Sequence, residues 1–492
     1  MENLPHNLYR AAQVRELDRI AIDEFAIPGE VLMARAGQAV FAVMCAHWPD
    51  ARRVAVMCGA GNNGGDGYVV ARLAHEAGLE VAVFQLGDAD RLRGDAHQAR
   101  EAMRKAGVAP APFSGQSLQG YDVIVDAMLG TGLERPLEGA WRNAVKAVND
   151  ARGRVLAVDI PTGLHADRGS VLGLTVTADV TLTFIGVKRG MLTAQGVDAC
   201  GILLYDSLGV PSAVFDRAVP SAVTSDAMHL GRVLPRRMRN SHKGCFGHVL
   251  VIGGAEGMSG AACLAGEAAA RSGAGLVSIA TRARHAAAPG QARAELMVHG
   301  VEDAASLRRL FARASVLAIG PGLGRSRWGG RMLAACLESG LPKVVDADAL
   351  NLLALEPARR DDWILTPHPG EAAGLLGVSS REIQNDRYQA VAEIQNRYGG
   401  ICVLKGAGTL IHGGRRATVV CRAGNPGMAA GGMGDVLTGV IAGLLAQGMG
   451  LMAAACHGVT LHARAGDRAA QEGERGMLAG DLMPYLRVMA NA

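Results

Sequence analysis

Two clusters of glycine and polar residues in the sequence have spacings suited to phosphate-bearing ligands. In the first half, Gly59, Gly61 and Gly64 form a Gly-x-Gly-x-x-Gly pattern between an apolar stretch and a helical one. Such a turn brings backbone N–H groups close to an anionic ligand at a helix N-terminus. By itself the pattern predicts an NAD-dependent dehydrogenase, or a plain glycine-rich turn, as readily as any other dinucleotide site.

Polar residues beyond the glycines favour a more specialised site. Asn62, Asn63 and Asp66 crowd the same turn, where their oxygens could coordinate a cation or hold ribose hydroxyls. Asp126 and Asp159 each follow another apolar stretch. Because ligands of open α/β sheets bind at the carboxyl ends of the strands, we expect these side chains to converge. Taken singly, any one aspartate could instead cap a helix.

In the second half, residues 425–435 read Asn-Pro-Gly-Met-Ala-Ala-Gly-Gly-Met-Gly-Asp before an apolar helical pattern. A glycine-rich turn opening a helix offers free N–H groups to the charge that develops on a transferring phosphoryl group. Asp435 could take the proton of an attacking hydroxyl. Upstream, Lys405 begins a Lys-Gly turn that could cradle a nucleotide phosphate, although, taken alone, an ordinary strand–turn–strand is the better explanation. No Gly-x-x-x-x-Gly-Lys-Ser/Thr motif is present, which excludes a P-loop enzyme.

Three more segments place polar or glycine-rich residues directly after apolar stretches: 320–324, 346–350 and 366–371. Their position predicts a common sheet edge and a ligand role for His368. A metal site made by His368 and Glu371 is weakly supported, because no second histidine stands at zinc-ligand spacing.

The elements that must position these residues alternate between apolar stretches and helical patterns, as in βαβ units with mostly parallel sheets. We therefore predict an α/β protein with domains at 1–212 and 241–492 and a linker at 213–240. The predicted helices of the first domain include 68–77 and 94–106. The predicted strands are 54–57, 81–86, 123–125, 155–158, 180–185, 248–252, 276–280, 316–319, 344–345, 364–365 and 401–404.

Composition excludes several classes of function. The net charge is +4 in 492 residues and aromatics make up 4%, so neither nucleic acid nor a membrane surface is an expected partner. The stretch 436–456 is uncharged and long enough to span a bilayer, but its glycines predict a core helix, a turn and a second helix. Nine scattered cysteines indicate a reducing compartment, here the cytoplasm. We also expect a homo-oligomer, as is common among compact α/β enzymes.

Residues 10–210 resemble the epimerase domain that interconverts the R and S forms of hydrated NADH or NADPH, called NAD(P)HX. The resemblance rests on Asn-Asn-Gly-Gly-Asp-Gly, Asp-Ala-Met-Leu-Gly-Thr-Gly and Asp-Ile-Pro-Thr-Gly. It implies a Rossmann-like three-layer domain with K⁺ bound by Asn63, Asp126 and Thr162, where the family often has Ser at position 162. Asp159 would transfer the proton. The implied substrate-binding residues are Asn62, Asn63, Gly64, Gly65, Asp66, Gly130, Thr131, Gly132, Leu133, Glu134, Arg135, Pro136 and Asp159.

Residues 226–490 resemble the ribokinase-like superfamily and, within it, the ADP-dependent NAD(P)HX dehydratases. The motifs that carry this are Gly-Met-Ser-Gly-Ala-Ala, Gly-Pro-Gly-Leu-Gly, Thr-Pro-His-Pro-Gly-Glu and Lys-Gly-Ala-Gly-Thr, followed by Gly-Asp at a helix start. The resemblance implies dehydration of the S form coupled to cleavage of ADP, or of ATP, with Mg²⁺ on the nucleotide. The family often has hydroxyl residues where Ala430 and Met433 stand. The implied nucleotide-binding residues are Lys405, Gly406, Ala407, Gly408, Thr409 and Gly434, and the implied substrate-binding residues are Ala261, Gly322, His368 and Asp435.

Three alternative functions remain open from the residues alone. The first is a sugar or hydroxymethylpyrimidine kinase of the ribokinase-like fold, fused to a dinucleotide-binding domain. The second is a dehydrogenase that uses Gly59–Gly64. The third is a binding protein whose first half has lost its activity.

Overall fold

The computed structural model describes residues 4–225, 236–414 and 416–491. The chain divides into two compact units, Met1–Ala222 and Val223–Ala492. Part of the predicted linker holds a short helix, and its stretch 226–235 lies outside the described residues.

The described residues of the first unit form nine strands, and seven of these make one parallel sheet. Its strands are β1 Asn7–Tyr9, β2 Arg53–Cys58, β3 Glu80–Gln85, β4 Pro110–Pro112, β5 Val123–Ala127, β6 Arg154–Val158, β7 Val180–Phe184, β8 Val187–Lys188 and β9 Ile202–Asp206. Its helices are α1 Ala11–Asp23, α2 Gly29–His47, α3 Asn62–Glu76, α4 Gly94–Lys105, α5 Gly139–Asp150, α6 Gly196–Cys200 and α7 Ser212–Phe215. The sheet runs β4-β3-β2-β5-β6-β7-β9, while β1 pairs with β8.

The sheet of the first unit is buried on both faces, because alternate residues of a strand point to opposite sides. Val54 and Val56 pack on one face with α1, α2 and α3. Ala55 and Met57 pack on the other face with α5. This is the predicted three-layer arrangement, and it leaves the loops at the strands' carboxyl ends free to form a site.

The predicted start of α3 was wrong. Helix α3 begins at Asn62, six residues before the predicted start at position 68, so the polar cluster lies in its first turns. Glycine disfavours helix, which is why the pattern indicated a turn. Tertiary packing overrides that preference, since a Cβ on Gly64 would lie 2.0 Å from the Gly59 carbonyl oxygen and one on Gly67 2.6 Å from Ala127. Only glycine lets the helix start so close to the strands.

The strand β10, Ala222–Thr224, stands at the boundary between the units, and the second unit has a larger sheet ordered β13-β12-β11-β14-β15-β16-β17-β18-β19. These strands are β11 His248–Ile252, β12 Leu276–Thr281, β13 Met297–Gly300, β14 Val316–Ile319, β15 Lys343–Val345, β16 Trp363–Leu365, β17 Ile401–Leu404, β18 Thr409–His412 and β19 Thr418–Cys421. The pairs from β13 to β17 are parallel and the last two pairs are antiparallel.

The helices of the second unit cover this sheet. They are α8 Ser259–Arg271, α9 Ala287–Ala292, α10 Ala304–Phe311, α11 Arg327–Glu338, α12 Ala347–Leu355, α13 Pro369–Leu376, α14 Ser380–Asn385, α15 Arg387–Tyr398, α16 Met433–Ala446, α17 Leu451–Ala469 and α18 Leu482–Met489. Gly439 brings α16 against the backbone of α8, where a Cβ would lie 2.0 Å from the Ala265 oxygen.

The uncharged stretch 436–456 is the predicted helix, turn and second helix, since α16 ends at Ala446 and α17 begins at Leu451. Among the described residues, α2 is the one helix long and apolar enough to cross a bilayer by length and composition. Leu32, Ala36 and Val40 of that helix are buried in the core of the first unit, as in a globular core helix.

Candidate active sites

A cleft of about 500 Å³ opens at the carboxyl edge of the first unit's sheet. Loops after β2, β5 and β6 form it together with α1 and β8, as the sequence predicts for an open α/β sheet. Several charged side chains of both signs line the cleft. Its charged lining residues are Arg15, Asp18, Asp66, Asp95, Asp159 and Lys188.

Lys188 and Asp159 form a buried ion pair at one side of this cleft. The Lys188 ammonium donates to Asp159 Oδ1, to Thr183 Oγ1 at 2.9 Å and to the Phe184 carbonyl at 3.3 Å. These three acceptors use all three N–H groups of the lysine. The ammonium of Lys188 is therefore held in one position, with no N–H group left over for a ligand.

The carboxylate of Asp159 is anchored through one oxygen only. Oδ1 also accepts the Thr183 hydroxyl and the Phe184 amide, both at 3.2 Å. Among the described residues none donates to Oδ2, which leaves that oxygen available to a ligand. The backbone of Asp159 has φ +65°, a conformation that costs a non-glycine residue energy and is often found at functional sites.

Asp66 and Asp18 share the cleft without a cation of their own. Within the described parts of the chain, no lysine or arginine forms an ion pair with either side chain. Burial, with the negative charges of Asp159 and Asp18, raises the pKa of Asp66 well above its usual range. Burial likewise raises the pKa of Asp18 to about 6.

Asp126 lies beneath the cleft, bonded to the loop after β6. Thr162 donates its hydroxyl to Asp126 Oδ1 at 2.7 Å and its amide to Oδ2 at 2.8 Å. Burial raises the pKa of Asp126 to about 6, against the effect of these hydrogen bonds. Asn63 packs on Gly130 in the loop after β5, and its buried Nδ2 has no partner among the described residues.

The structure brings most of the predicted residues of the first unit to one place. Asn62, Asn63, Asp66, Gly130–Leu133 and Asp159 line the cleft. Gly64 and Gly65 instead pack beneath it, on Gly59 and Met33. Glu134, Arg135 and Pro136 lie beyond the lining residues, and the Glu134 carboxylate stands 3.5 Å from His165 Nε2.

In the second unit, Asp346 and Lys405 form a corresponding pair. Lys405 Nζ donates to Asp346 Oδ1 at 2.7 Å, and the Thr438 hydroxyl donates to Asp346 Oδ2 at 2.8 Å. Glu371 Oε2 lies 3.7 Å from the same ammonium. Burial alone would lower the pKa of Lys405, but the Asp346 and Glu371 carboxylates outweigh burial and raise it.

Gly434 and Asp435 lie in the first turn of α16, directly over this pair. A Cβ on Gly434 would lie 3.2 Å from Lys405 Nζ and 3.6 Å from Asp346 Oδ2. Burial and the negative charge of Asp346 raise the pKa of Asp435 to about 7. A carboxyl group tuned in this way can accept a proton near neutral pH.

The Lys-Gly turn joins the antiparallel strands β17 and β18. Gly406 and Gly408 both have positive φ, and the Thr409 hydroxyl closes the turn on the Gly406 carbonyl at 2.9 Å. Ala407 stands between these glycines. The predicted nucleotide-binding residues 405–409 therefore lie next to Asp346, because Lys405 is both the first residue of this turn and the hydrogen-bond donor to Asp346.

His368 and Glu371 cap the start of α13. His368 Nδ1 accepts the Gly370 amide at 2.9 Å, and Glu371 Oε2 accepts the His368 amide at 2.8 Å. With Nδ1 used as an acceptor, the neutral ring carries its proton on Nε2. Burial, then the positive charge of Lys405, lowers the pKa of His368, which favours that neutral form.

Ala261 and Gly322 approach each other on a neighbouring part of the same edge. A Cβ on Gly322 would lie 3.2 Å from Ala261 Cβ, at φ +58°. The Gly324 amide donates to Asp348 Oδ2 at 2.9 Å, which ties this loop to the segment that carries Asp346.

Sequence reasoning missed the two residues that organise these sites. Lys188 lies in a two-residue strand and belongs to no recognisable spacing pattern. Asp346 was noted in an Asp-Ala-Asp segment without a role. Its position directly after a predicted buried strand, like Asp126 and Asp159, was the available signal.

Comparisons with known proteins agree with both halves of this description. Residues 249–487 match the family model described as NAD(P)H-hydrate dehydratase, and residues 29–190 match YjeF-related protein N-terminus. A bifunctional NAD(P)H-hydrate repair enzyme of Coxiella burnetii is 49% identical over 98% of this chain and 99% of its own length. The chain belongs to this family of bifunctional NAD(P)H-hydrate repair enzymes.

Further similarities point to the same family. The bifunctional NAD(P)H-hydrate repair enzyme of Escherichia coli is 43% identical over 99% of this chain and 95% of its own. A solved ribokinase-like superfamily protein of Enterococcus faecalis has a TM-score of 0.50 and 28% identity, and covers 55% of this chain and 95% of its own. The predicted resemblance of each half and the ribokinase-like fold are confirmed.

The Lys188 pair gives a stability prediction. We expect Lys188→Met to lower the free energy of unfolding by about 3 kcal/mol, because it leaves the Asp159 carboxylate without its buried cation. Urea denaturation of the full chain measures this in the transition of the first unit. The matched control is Lys146→Met, whose exposed side chain on α5 should change the free energy by less than about 0.5 kcal/mol. Equal effects of the two variants would contradict the pairing.

Proposed function

We propose that the chain repairs hydrated NADH and NADPH, with epimerisation in the first unit and nucleotide-dependent dehydration of the S form in the second. The observation that carries this proposal is the same in both units. A lysine is hydrogen-bonded to an aspartate beside a carboxyl oxygen suited to proton transfer, which belongs to Asp159 itself in the first unit and to Asp435 in the second. The family relationship supplies the substrate class.

In the first unit, Asp159 would exchange a proton with the hydroxyl group on the carbon next to the ring nitrogen, the carbon whose configuration is inverted. Inversion there needs proton transfer and no covalent bond to the protein. Asp159 lines the cleft, and Lys188 keeps its Oδ1 in place while no described residue donates to Oδ2. Asn62 and the loop Gly130–Leu133 would hold the dinucleotide.

In the second unit, Asp435 would remove the proton of the ring hydroxyl as the terminal phosphoryl group of ADP or ATP transfers to that oxygen. Phosphate then leaves with its oxygen, and the neighbouring ring carbon gives up a proton to the departing phosphate or to solvent as the ring double bond forms, so ADP yields AMP and phosphate. The Lys405–Thr409 turn and the free N–H groups at the start of α16 would hold the nucleotide phosphates. Mg²⁺ would neutralise phosphate charge, and Glu371 and Asp348 offer the oxygen ligands that it prefers.

A pair of variants tests the division of labour. We expect Asp159→Asn to slow epimerisation by about 10²–10⁴-fold while dehydration of the S form persists, and Asp435→Asn to do the reverse. The assay starts from the R form with ADP and Mg²⁺ and follows NADH absorbance and AMP release, after subtraction of spontaneous epimerisation. An equimolar mixture of the two variants should restore full conversion.

The control for this test is Asp50→Asn, an exposed aspartate outside both sites, which should keep both activities. If a single variant removes both activities, or neither variant slows its own step, the assignment of one reaction to each unit fails. Sugar phosphate as the product would favour the kinase alternative.

We further propose that K⁺ binds beneath the cleft through Asp126, Thr162 and the Asn63 carboxamide. The support is the donor set, a buried carboxylate whose bonding partners are all uncharged, beside a hydroxyl and an amide. K⁺ there would compensate a charge that otherwise costs desolvation energy.

Thermal unfolding tests the potassium site without relying on activity. We expect KCl, compared with N-methylglucamine chloride at equal ionic strength, to raise the unfolding temperature of the wild type because K⁺ binds the native state. Asp126→Asn should lose that increment, whereas Asp50→Asn should keep it. An increment that survives in Asp126→Asn would exclude this site.

A cytoplasmic location is also proposed. Cys45 and Cys245 are exposed free thiols, which fits a reducing compartment. Assembly into a homo-oligomer stays a prediction.

A further inference from the structure

The cleft of the first unit is lined by more carboxylates than cations, because Arg15 and Lys188 stand against Asp18, Asp66, Asp95 and Asp159. Asp18, Asp66 and Asp159 all line it, and Lys188 is the buried ammonium among them. Because all three N–H groups of Lys188 are already used, on Asp159, Thr183 and Phe184, it offers no hydrogen bond to the other two acids. Like charges this close cannot all ionise without a large cost, so a proton is retained in the cleft.

The topology brings Asp66 and Asp159 to the same cleft from two different strands of the sheet. Asp66 lies near the start of α3, the helix that follows β2, whereas Asp159 directly follows β6, and β5 lies between these two strands in the sheet. Strands two apart are separated by about 10 Å at their axes, which leaves room for a flat ring between side chains that reach inward.

We propose that Asp66 is a second catalytic residue of epimerisation, the proton donor that works across the cleft from Asp159. This inference rests on the proposed function of the first unit. It assigns to Asp66 a chemical role beyond holding the dinucleotide. The raised pKa of Asp66, caused first by burial and then by Asp159 and Asp18, agrees with an acid that carries its proton at neutral pH.

The step balances in atoms and charge. Asp66 gives its proton to the leaving hydroxyl, the carbon–oxygen bond breaks, and the lone pair of the ring nitrogen forms a carbon–nitrogen double bond while water is released. Water then adds to the other face of that carbon, the electron pair returns to nitrogen, and Asp159 takes the proton of the added water. The proton moved from Asp66 to Asp159 returns in the reverse reaction or by exchange with solvent in the open cleft.

The test uses the full chain and compares Asp66→Asn, Asp66→Ala and the wild type in R-to-S epimerisation. We expect kcat to fall by about 10²–10⁴-fold in both variants with KM little changed, since general acids contribute in that range. Formate should restore the Asp66→Ala rate in a saturable way, after subtraction of the enzyme-free reaction. Asp50→Ala serves as the control and should not respond to formate.

The outcomes separate this inference from the proposed function. If the wild type does not epimerise the hydrate, the proposed function itself fails. If the wild type does so and Asp66→Asn matches it, Asp66 is no proton donor. A rise in KM with unchanged kcat, or a loss in Asp66→Ala that formate does not restore, also overturns the inference, because it assigns Asp66 to binding or folding alone.

Discussion

A lysine ammonium group that donates a hydrogen bond to one aspartate is the interaction on which both candidate sites depend. In the first unit it is Lys188 on Asp159, and in the second it is Lys405 on Asp346. Each lysine compensates the charge of the aspartate to which it is bonded, and Lys405 also lies 3.7 Å from Glu371, in surroundings of low dielectric where an unpaired charge is expensive. Burial, and then the negative charge of the paired aspartate, raises the pKa of the carboxyl group beside each pair, Asp66 or Asp435, above that of an exposed acid.

The parallel sheets explain why the same arrangement occurs in two units of different fold. Each places the ends of successive strands along one edge, so that residues far apart in the chain meet there. Backbone hydrogen bonds join the loops that follow β15, β16 and β17 at this edge. The Thr366 N–H donates to the Val345 carbonyl, and the Lys405 N–H donates to the Pro367 carbonyl. The side chains of Asp346 and Lys405 thus lie within bonding distance without any local sequence pattern that joins them.

Much of the framework could be predicted from the sequence, because buried parallel strands are continuous apolar stretches. The strands His248–Ile252, Val316–Ile319 and Ile401–Leu404 have the predicted bounds. The start of α3 could not be predicted, since glycine propensity favours a turn and the packing that overrides it appears only in three dimensions. The role of Lys188 could not be predicted for a related reason. It depends on the burial of this side chain against Asp159 and not on any spacing of residues in the sequence.

The protonation of Asp435 tests the central claim most directly. Isotope-edited infrared difference spectra between the wild type and Asp435→Asn, recorded without nucleotide or Mg²⁺, follow the carboxyl band of this residue as pH changes. Burial beside the Lys405–Asp346 pair leads us to expect a midpoint near pH 7. A midpoint near pH 4, the value of an ordinary aspartate, would show that the pair leaves its neighbour unperturbed and would contradict the account.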